Sequence, residues 1–248
     1  ATVVSQTCGL VWILNHFLRI SSYIHFRRGF YRLRLRIVGA IFSVGMAPFL
    51  INVCAAAIVI VANHSFKTYG GDLAIGAYGI VNRIATLFLM IIIGLTQGMQ
   101  PIVGYNYGAE HFDRVRQTLR RVIGVAVGIM TVGWLLSELF PIKIVAMFSD
   151  DANLNSLASI GLRIAILCFP LVGAQVVITN FFQSIGKAQI SILLSLARQL
   201  LFLLPLLYTL PHIADWNIYG VWWSMPVSDI LAFLSAVFTL KWYLMKIS

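Results

Sequence analysis

Two ionisable residues stand inside apolar runs, where charge is costly and marks function by default. Arg198 lies in ISILLSLARQLLFLLPLLYTL and Asp229 in GVWWSMPVSDILAFLSAVF. Arg198 follows Lys187 by eleven residues, about 16 Å along a helix, and Asp229 precedes Lys241 by twelve, about 18 Å. Both depths fall near the middle of a hydrocarbon layer about 30 Å thick, so the two side chains are expected to face one another and pair. The pair reads first as a tie between helices and second as part of a transport path. Asn52, Asn82, Gln175, Asn180 and Gln183 are further polar positions within apolar runs. Each is a candidate to line a cavity or to hydrogen-bond a neighbouring helix. Arg83 and Arg163 lie nearer one surface, where long side chains snorkel or face a water-filled cavity. No Walker loop, HExxH, GxSxG or paired-cysteine motif occurs. The polar residues therefore suit recognition rather than bond breaking, and neither a metal, an organic cofactor nor an enzyme is expected.

A second constellation is GLTQGMQPIVGYNYGA, Gly94–Ala109. An apolar run leads into it, and Arg114, Arg116, Arg120 and Arg121 follow. Gly94, Gly98, Gly104 and Gly108 let backbones approach or turn. Pro101 is expected to break the hydrogen-bond ladder and bend the helix. Gln97, Gln100 and Asn106 can pair with the backbone groups so exposed. The stretch reads as a helix leaving the membrane toward a basic surface, with its arginines on anionic headgroups.

The elements that position these residues are long. The chain of 248 residues is 60% hydrophobic and only 10% charged, against about 25% charged in ordinary soluble domains. Its mean hydropathy is +0.89. Apolar runs fall at about 37–63, 73–103, 119–140, 156–182, 188–210 and 217–243, each near the length that spans a bilayer. None alternates as a strand does. The fold class is all-α: a polytopic six-helix transmembrane bundle over 37–248. It is preceded by a basic linker, 19–36, and by an apolar stretch, 1–18, that reads as the end of an earlier transmembrane helix whose start lies outside the sequence. Four spans carry an internal proline, Pro48, Pro170, Pro205 and Pro226, as bent, cavity-lining helices do. Cys8, Cys54 and Cys168 show no metal or redox spacing and read as small core residues.

Net charge is +10, with 18 basic and 8 acidic residues. In a soluble protein that excess would point to nucleic acid; here it segregates by gap. Arg19, Arg27, Arg28, Arg32, Arg34 and Arg36 fill the first gap, the four arginines at 114–121 the third, Lys187 the fifth, and Lys241 and Lys246 the C-terminus. Alternate gaps hold only Lys67 and Lys143 among basic residues, beside Asp72, Asp150, Asp151 and Asp215. The positive-inside rule puts the first set and the C-terminus in the cytoplasm of a plasma (inner) membrane protein. Trp216, Tyr219, Trp222 and Trp223 suit an aromatic belt at the outer interface. The partners expected are the bilayer and small molecules, not nucleic acid.

The residues Gly94, Gln97, Gly98, Gln100, Pro101, Gly104, Asn106, Tyr107, Gly108 and Ala109 resemble the signature of the multidrug and toxic compound extrusion (MATE) family, in its MepA-like branch. Phe182–Lys187, Leu194–Gln199 with Pro205, and Gly220–Trp222 with Pro226, Ser228 and Asp229 extend the resemblance in order over most of residues 37–243. It implies twelve helices in two six-helix lobes that exchange protons or sodium ions for cationic or amphipathic drugs by alternating access. This chain would then be the C-terminal lobe with the end of the sixth helix. Some branches carry coupling carboxylates in the first and fourth helices of this lobe. Here spans 37–63 and 156–182 hold no Asp or Glu, and Ala174 and Gln175 stand about where an acid is expected. The resemblance thus places the H+ or Na+ binding group in the N-terminal lobe. A lipid-linked oligosaccharide or polysaccharide exporter of the same superfamily is the alternative, and a non-transporting membrane scaffold the alternative of another class.

Overall fold

The computed structural model describes residues 2–18, 35–213 and 216–247. The basic linker expected over 19–36 falls almost wholly outside them, as does Asp215. Every described regular element is helical: α1 (Thr2–Leu18), α2 (Leu35–Gly108), α3 (Phe112–Leu139), α4 (Pro141–Ala146), α5 (Ala152–Ala165), α6 (Phe169–Ser184) and α7 (Ala188–Leu196). A π-helical stretch (Ala197–Leu203), α8 (Leu204–Thr209), a 3-10 turn (Leu210–His212) and α9 (Asn217–Ile247) complete the order. The chain forms two compact units, residues 1–48 and 49–248. The first contains α1 and the opening turns of α2; the second contains the bundle and the cavity.

Gly71 interrupts α2 with φ 68° and ψ −164°, a conformation essentially reserved to glycine. Phe66 and Tyr78, twelve positions apart, would be about 18 Å apart along a straight helix, yet their rings stack at 4.8 Å. The chain therefore doubles back at Gly71, and within the second unit residues 49–70 and 72–103 are the two arms of one hairpin.

Among the described residues, Asn52–Gly108, Phe112–Leu139, Ala188–His212 and Asn217–Met245 are long and apolar enough to cross a membrane, and α5 with α6, bent by 55° at their break, are so as a pair. With Asn52–Gly108 folded at Gly71 and the bent pair taken as one span, the described residues give six apolar segments of membrane-crossing length. The bend falls where Pro170, at the start of α6, has no N–H to continue the ladder. Leu171 and Val172 donate instead to the Cys168 carbonyl, at 2.9 and 3.0 Å. Pro205 opens α8 directly after the π-helical stretch, whereas α9 runs on through Pro226.

The core centres on α6, which is packed by α3, α7 and α9. Its buried face runs right round the helix, from Phe169 and Val172 to Phe181 and Phe182, as a helix apolar on all sides requires. Glycines set the close approaches. A Cβ on Gly173 would stand 2.9 Å from Met130 Cγ and 3.0 Å from the Ala126 carbonyl, and one on Gly161 would enter the Trp222 ring. Trp222 is 1% exposed and its ring lies 4.5 Å from Phe66. It therefore departs from the aromatic belt expected of it, because its turn of α9 faces inward, while Trp216 and Tyr219 remain exposed. Cys168 is buried, Cys54 is half-buried and Cys8 is exposed, so only the first matches the core role expected of all three.

Candidate functional site

Helical spacing on the second arm of α2 puts Tyr78, Asn82, Ala85 and Leu89 on one face. That face closes against Ile58 on the first arm, Phe169 at the bend, and the residues of the π-helical stretch and α9. Between them lies a cavity of about 230 Å³. Its polar lining is Tyr78, Asn82, Arg198, Gln199, Ser228 and Asp229; the rest is apolar.

Arg198 and Asp229 meet at its edge. Arg198 Nη2 lies 2.7 Å from Asp229 Oδ1, and Nε donates to the same oxygen at 2.9 Å. The Asp229 side chain is 6% exposed and that of Arg198 30%. A carboxylate so enclosed is tolerable only when paired, and both of these donors converge on it. The π-helical stretch bears Arg198 and packs on α9, which bears Asp229. Gln199 is next to Arg198 on the same turn, and its Oε1 is buried without a hydrogen-bond partner. Ser228 donates its hydroxyl to the Met225 carbonyl at 2.8 Å.

The cavity thus gathers Asn82, Arg198 and Asp229 from the sequence candidates. Asn52, exposed on the first arm of α2, lies outside its lining. Gln175 is buried in α6 and is not among the cavity's lining residues. Asn180 donates Nδ2 to the Val176 carbonyl at 2.9 Å, and Gln183 is exposed at the end of α6. Arg163 lies 3.6 Å from Glu138, and neither it nor Arg83 lines the cavity. Sequence reasoning missed Tyr78, Gln199 and Ser228. The last two adjoin the charged pair, and Tyr78 shares the helical stripe of Asn82, so spacing alone carried the signal.

The Gly94–Ala109 stretch forms the final turns of α2. Backbone angles stay helical through Pro101, Gly71 being the non-helical residue of this element. The helix break expected at Pro101 is therefore absent: the ring sits on the exposed face and costs a donor without displacing the turn. Asn106 Nδ2 donates to the Ile102 carbonyl at 2.8 Å. Gly104 makes a close approach, its Cβ position 3.3 Å from the Ser184 carbonyl, whereas Gly94, Gly98 and Gly108 meet nothing within 4 Å. Gln97 is exposed and Gln100 half-buried. Beyond them the Tyr107 and Tyr243 hydroxyls hydrogen-bond at 2.8 Å, and Phe182 packs on Tyr243 with ring centroids 5.4 Å apart. The motif therefore binds the ends of α2, α6 and α9 together on one side of the bundle.

Comparison with known proteins agrees with this architecture. The multidrug export protein MepA of Staphylococcus saprophyticus is 24% identical over 236 residues, covering 95% of this chain and 51% of the relative. That of Staphylococcus haemolyticus is 25% identical over 237 residues, with 96% and 51% covered. The chain spans about half the length of the relatives it matches. An outward-facing MATE transporter of the MOP superfamily superposes with a TM-score of 0.82 at 20% identity, over 99% of this chain and 55% of that one. The MATE multidrug transporter DinF-BH, solved as a complex with a bound compound, superposes with a TM-score of 0.79 at 33% identity, over 97% and 53%. The sequence profile of the MatE family matches residues 40–209, well over half of the chain, and the chain belongs to that family.

Proposed function

We propose that the chain is one lobe of a secondary exporter that expels drugs or other amphipathic or cationic compounds in exchange for protons or sodium ions. The observation that carries this reading is the charge of the cavity wall. Among the described residues, Arg198 is its one cation and Asp229 its one anion, and they neutralise each other. A neutral, largely apolar wall with a few hydrogen-bonding groups suits amphipathic molecules. An exporter of lipid-linked, phosphate-bearing sugars would need several uncommitted cations facing its substrate; the described lining offers none. The commitment of Asp229 to Arg198 supports a coupling carboxylate in the other lobe. Transport proceeds by rocking of two lobes about a central path, with the C-terminus in the cytoplasm of the plasma membrane.

The test begins with the intact mass of the protein extracted from its own membranes, followed by efflux of a cationic fluorescent dye from cells expressing its complete natural gene. The reading expects a mass about twice 27.6 kDa and dye accumulation that falls on expression and recovers when the ion gradients are collapsed. A mass near 27.6 kDa with unchanged accumulation would overturn it.

A further inference from the structure

On the side of the bundle where α3 begins and α9 ends, an open groove of about 610 Å³ is lined by Arg116, Lys241, Leu244 and Met245. Lys241, Leu244 and Met245 are spaced i, i+3, i+4 and so share one face of α9. Arg116 faces them from the first turns of α3, and both helices flank α6. Two cations thus converge on one space whose described lining holds no carboxylate. Arg116 has a further interaction of its own, but a guanidinium carries five N–H donors and can serve a second partner. Like charges held together repel, and the arrangement is stabilised by an anion between them. The other half of the lining is apolar, and Met245 is 72% exposed. A free phosphate gains nothing from Leu244 and Met245, whereas an acyl chain does.

We infer that this groove binds one anionic phospholipid, its phosphate between Arg116 and Lys241 and an acyl chain along Leu244 and Met245. The inference rests on the chain spanning a membrane and is independent of what the protein transports. The lipid acts as an electrostatic staple between the start of α3 and the end of α9, on the same side as the Tyr107–Tyr243 contact.

Native mass spectrometry and thermal unfolding of the delipidated protein, expressed from its complete natural gene, test the site. The probes are phosphatidylglycerol and phosphatidylcholine with identical acyl chains. Phosphatidylglycerol is expected to bind more tightly and to raise the melting temperature. R116Q/K241Q is expected to weaken that binding tenfold or more, given the contribution of each basic residue at an anionic surface. R114Q/R121Q removes the same charge from about 140–160° round the helix and is expected to leave binding intact. R116K/K241R keeps both charges and retains the lipid, which separates lost charge from lost folding. Equal losses in the two glutamine double variants would reduce the site to a diffuse field and overturn the inference. So would displacement of the lipid by inorganic phosphate or by an acidic peptide at matched concentration, or no loss in either variant.

Discussion

Arg198 and Asp229, thirty-one positions apart, share a single oxygen: Nη2 and Nε approach Oδ1 at 2.7 and 2.9 Å. The pair joins a π-helical turn to the helix packed on it, and it does so at the wall of the bundle's cavity. Removing Arg198 leaves the enclosed Asp229 carboxylate uncompensated, and removing Asp229 leaves a partly buried guanidinium without its partner. Arg198→Ala, which orphans the enclosed carboxylate, is expected to destabilise the protein by about 3–5 kcal/mol, and Asp229→Ala by less, since the guanidinium it leaves is partly exposed. Arg198→Leu with Asp229→Leu is expected to cost less than either single change, since no orphaned charge remains. Thermal unfolding of the purified variants measures this, and a double variant as damaged as the sum of the singles would refute the coupling.

Glycines in the same bundle separate by what surrounds them. Gly161 packs under the Trp222 ring, so Gly161→Ala forces α5 and α9 apart and is expected to cost about 1–3 kcal/mol. Gly128 meets nothing within 4 Å, and Gly128→Ala is expected to be neutral or to stabilise by up to about 1 kcal/mol. The opposite signs are readable in one melting experiment. Gly124, four positions earlier on the same helix, also meets nothing within 4 Å, so this pair of glycines makes no close contact within the described bundle.

Gly71 and Gly186 both have positive φ, 68° and 76°, but for different reasons. Gly186 closes a Schellman cap on α6: its N–H donates to the Gln183 carbonyl at 3.1 Å, and that of Lys187 donates to Phe182 at 2.9 Å. Asparagine tolerates such a cap, so Gly186→Asn is expected to be milder than Gly186→Ala. The ψ of −164° at Gly71 lies where asparagine gains nothing over alanine. Gly71→Asn and Gly71→Ala are therefore expected to lose similar stability, about 1–3 kcal/mol. Chemical denaturation of the four variants compares them.

Filling the cavity separates binding from folding. Ala85 lines it and is half-buried. Ala85→Leu narrows a space of about 230 Å³ and is expected to weaken retention of a cationic dye severalfold, with a stability change below about 1.5 kcal/mol because the side chain enters open volume. Dye binding by fluorescence polarisation, measured beside the melting curve, distinguishes the two effects.

What the sequence carried was depth and composition. Runs of apolar residues located the crossings, and counting back from Lys187 and Lys241 put Arg198 opposite Asp229, because helical rise converts position into height. Rotation was harder to read. Trp222 looked like an interfacial aromatic and proved to be core, since one inward turn of α9 decides its fate and Gly161, sixty-one positions earlier, makes the room. Gln175 sat at a suggestive height but is buried in the packing of α6 and does not line the cavity. Pro101 and Pro170 share a residue type and differ in outcome. The first loses a single donor on an exposed face, whereas the second stands where the Cys168 carbonyl accepts a new pair of bonds that restarts the helix. The π-helical stretch has no composition that sets it apart from its neighbours, and α4 is too short for periodicity to show.

A π-helical turn holds one more residue than its height needs, while still satisfying its own backbone. In hydrocarbon that distinction matters, because any crossing that stretches by breaking bonds exposes N–H and C=O groups that nothing can solvate. Ala197–Leu203 puts such a winding into the Arg198 crossing. The stretch therefore seats Arg198 against Asp229 on a widened turn whose own backbone groups stay paired.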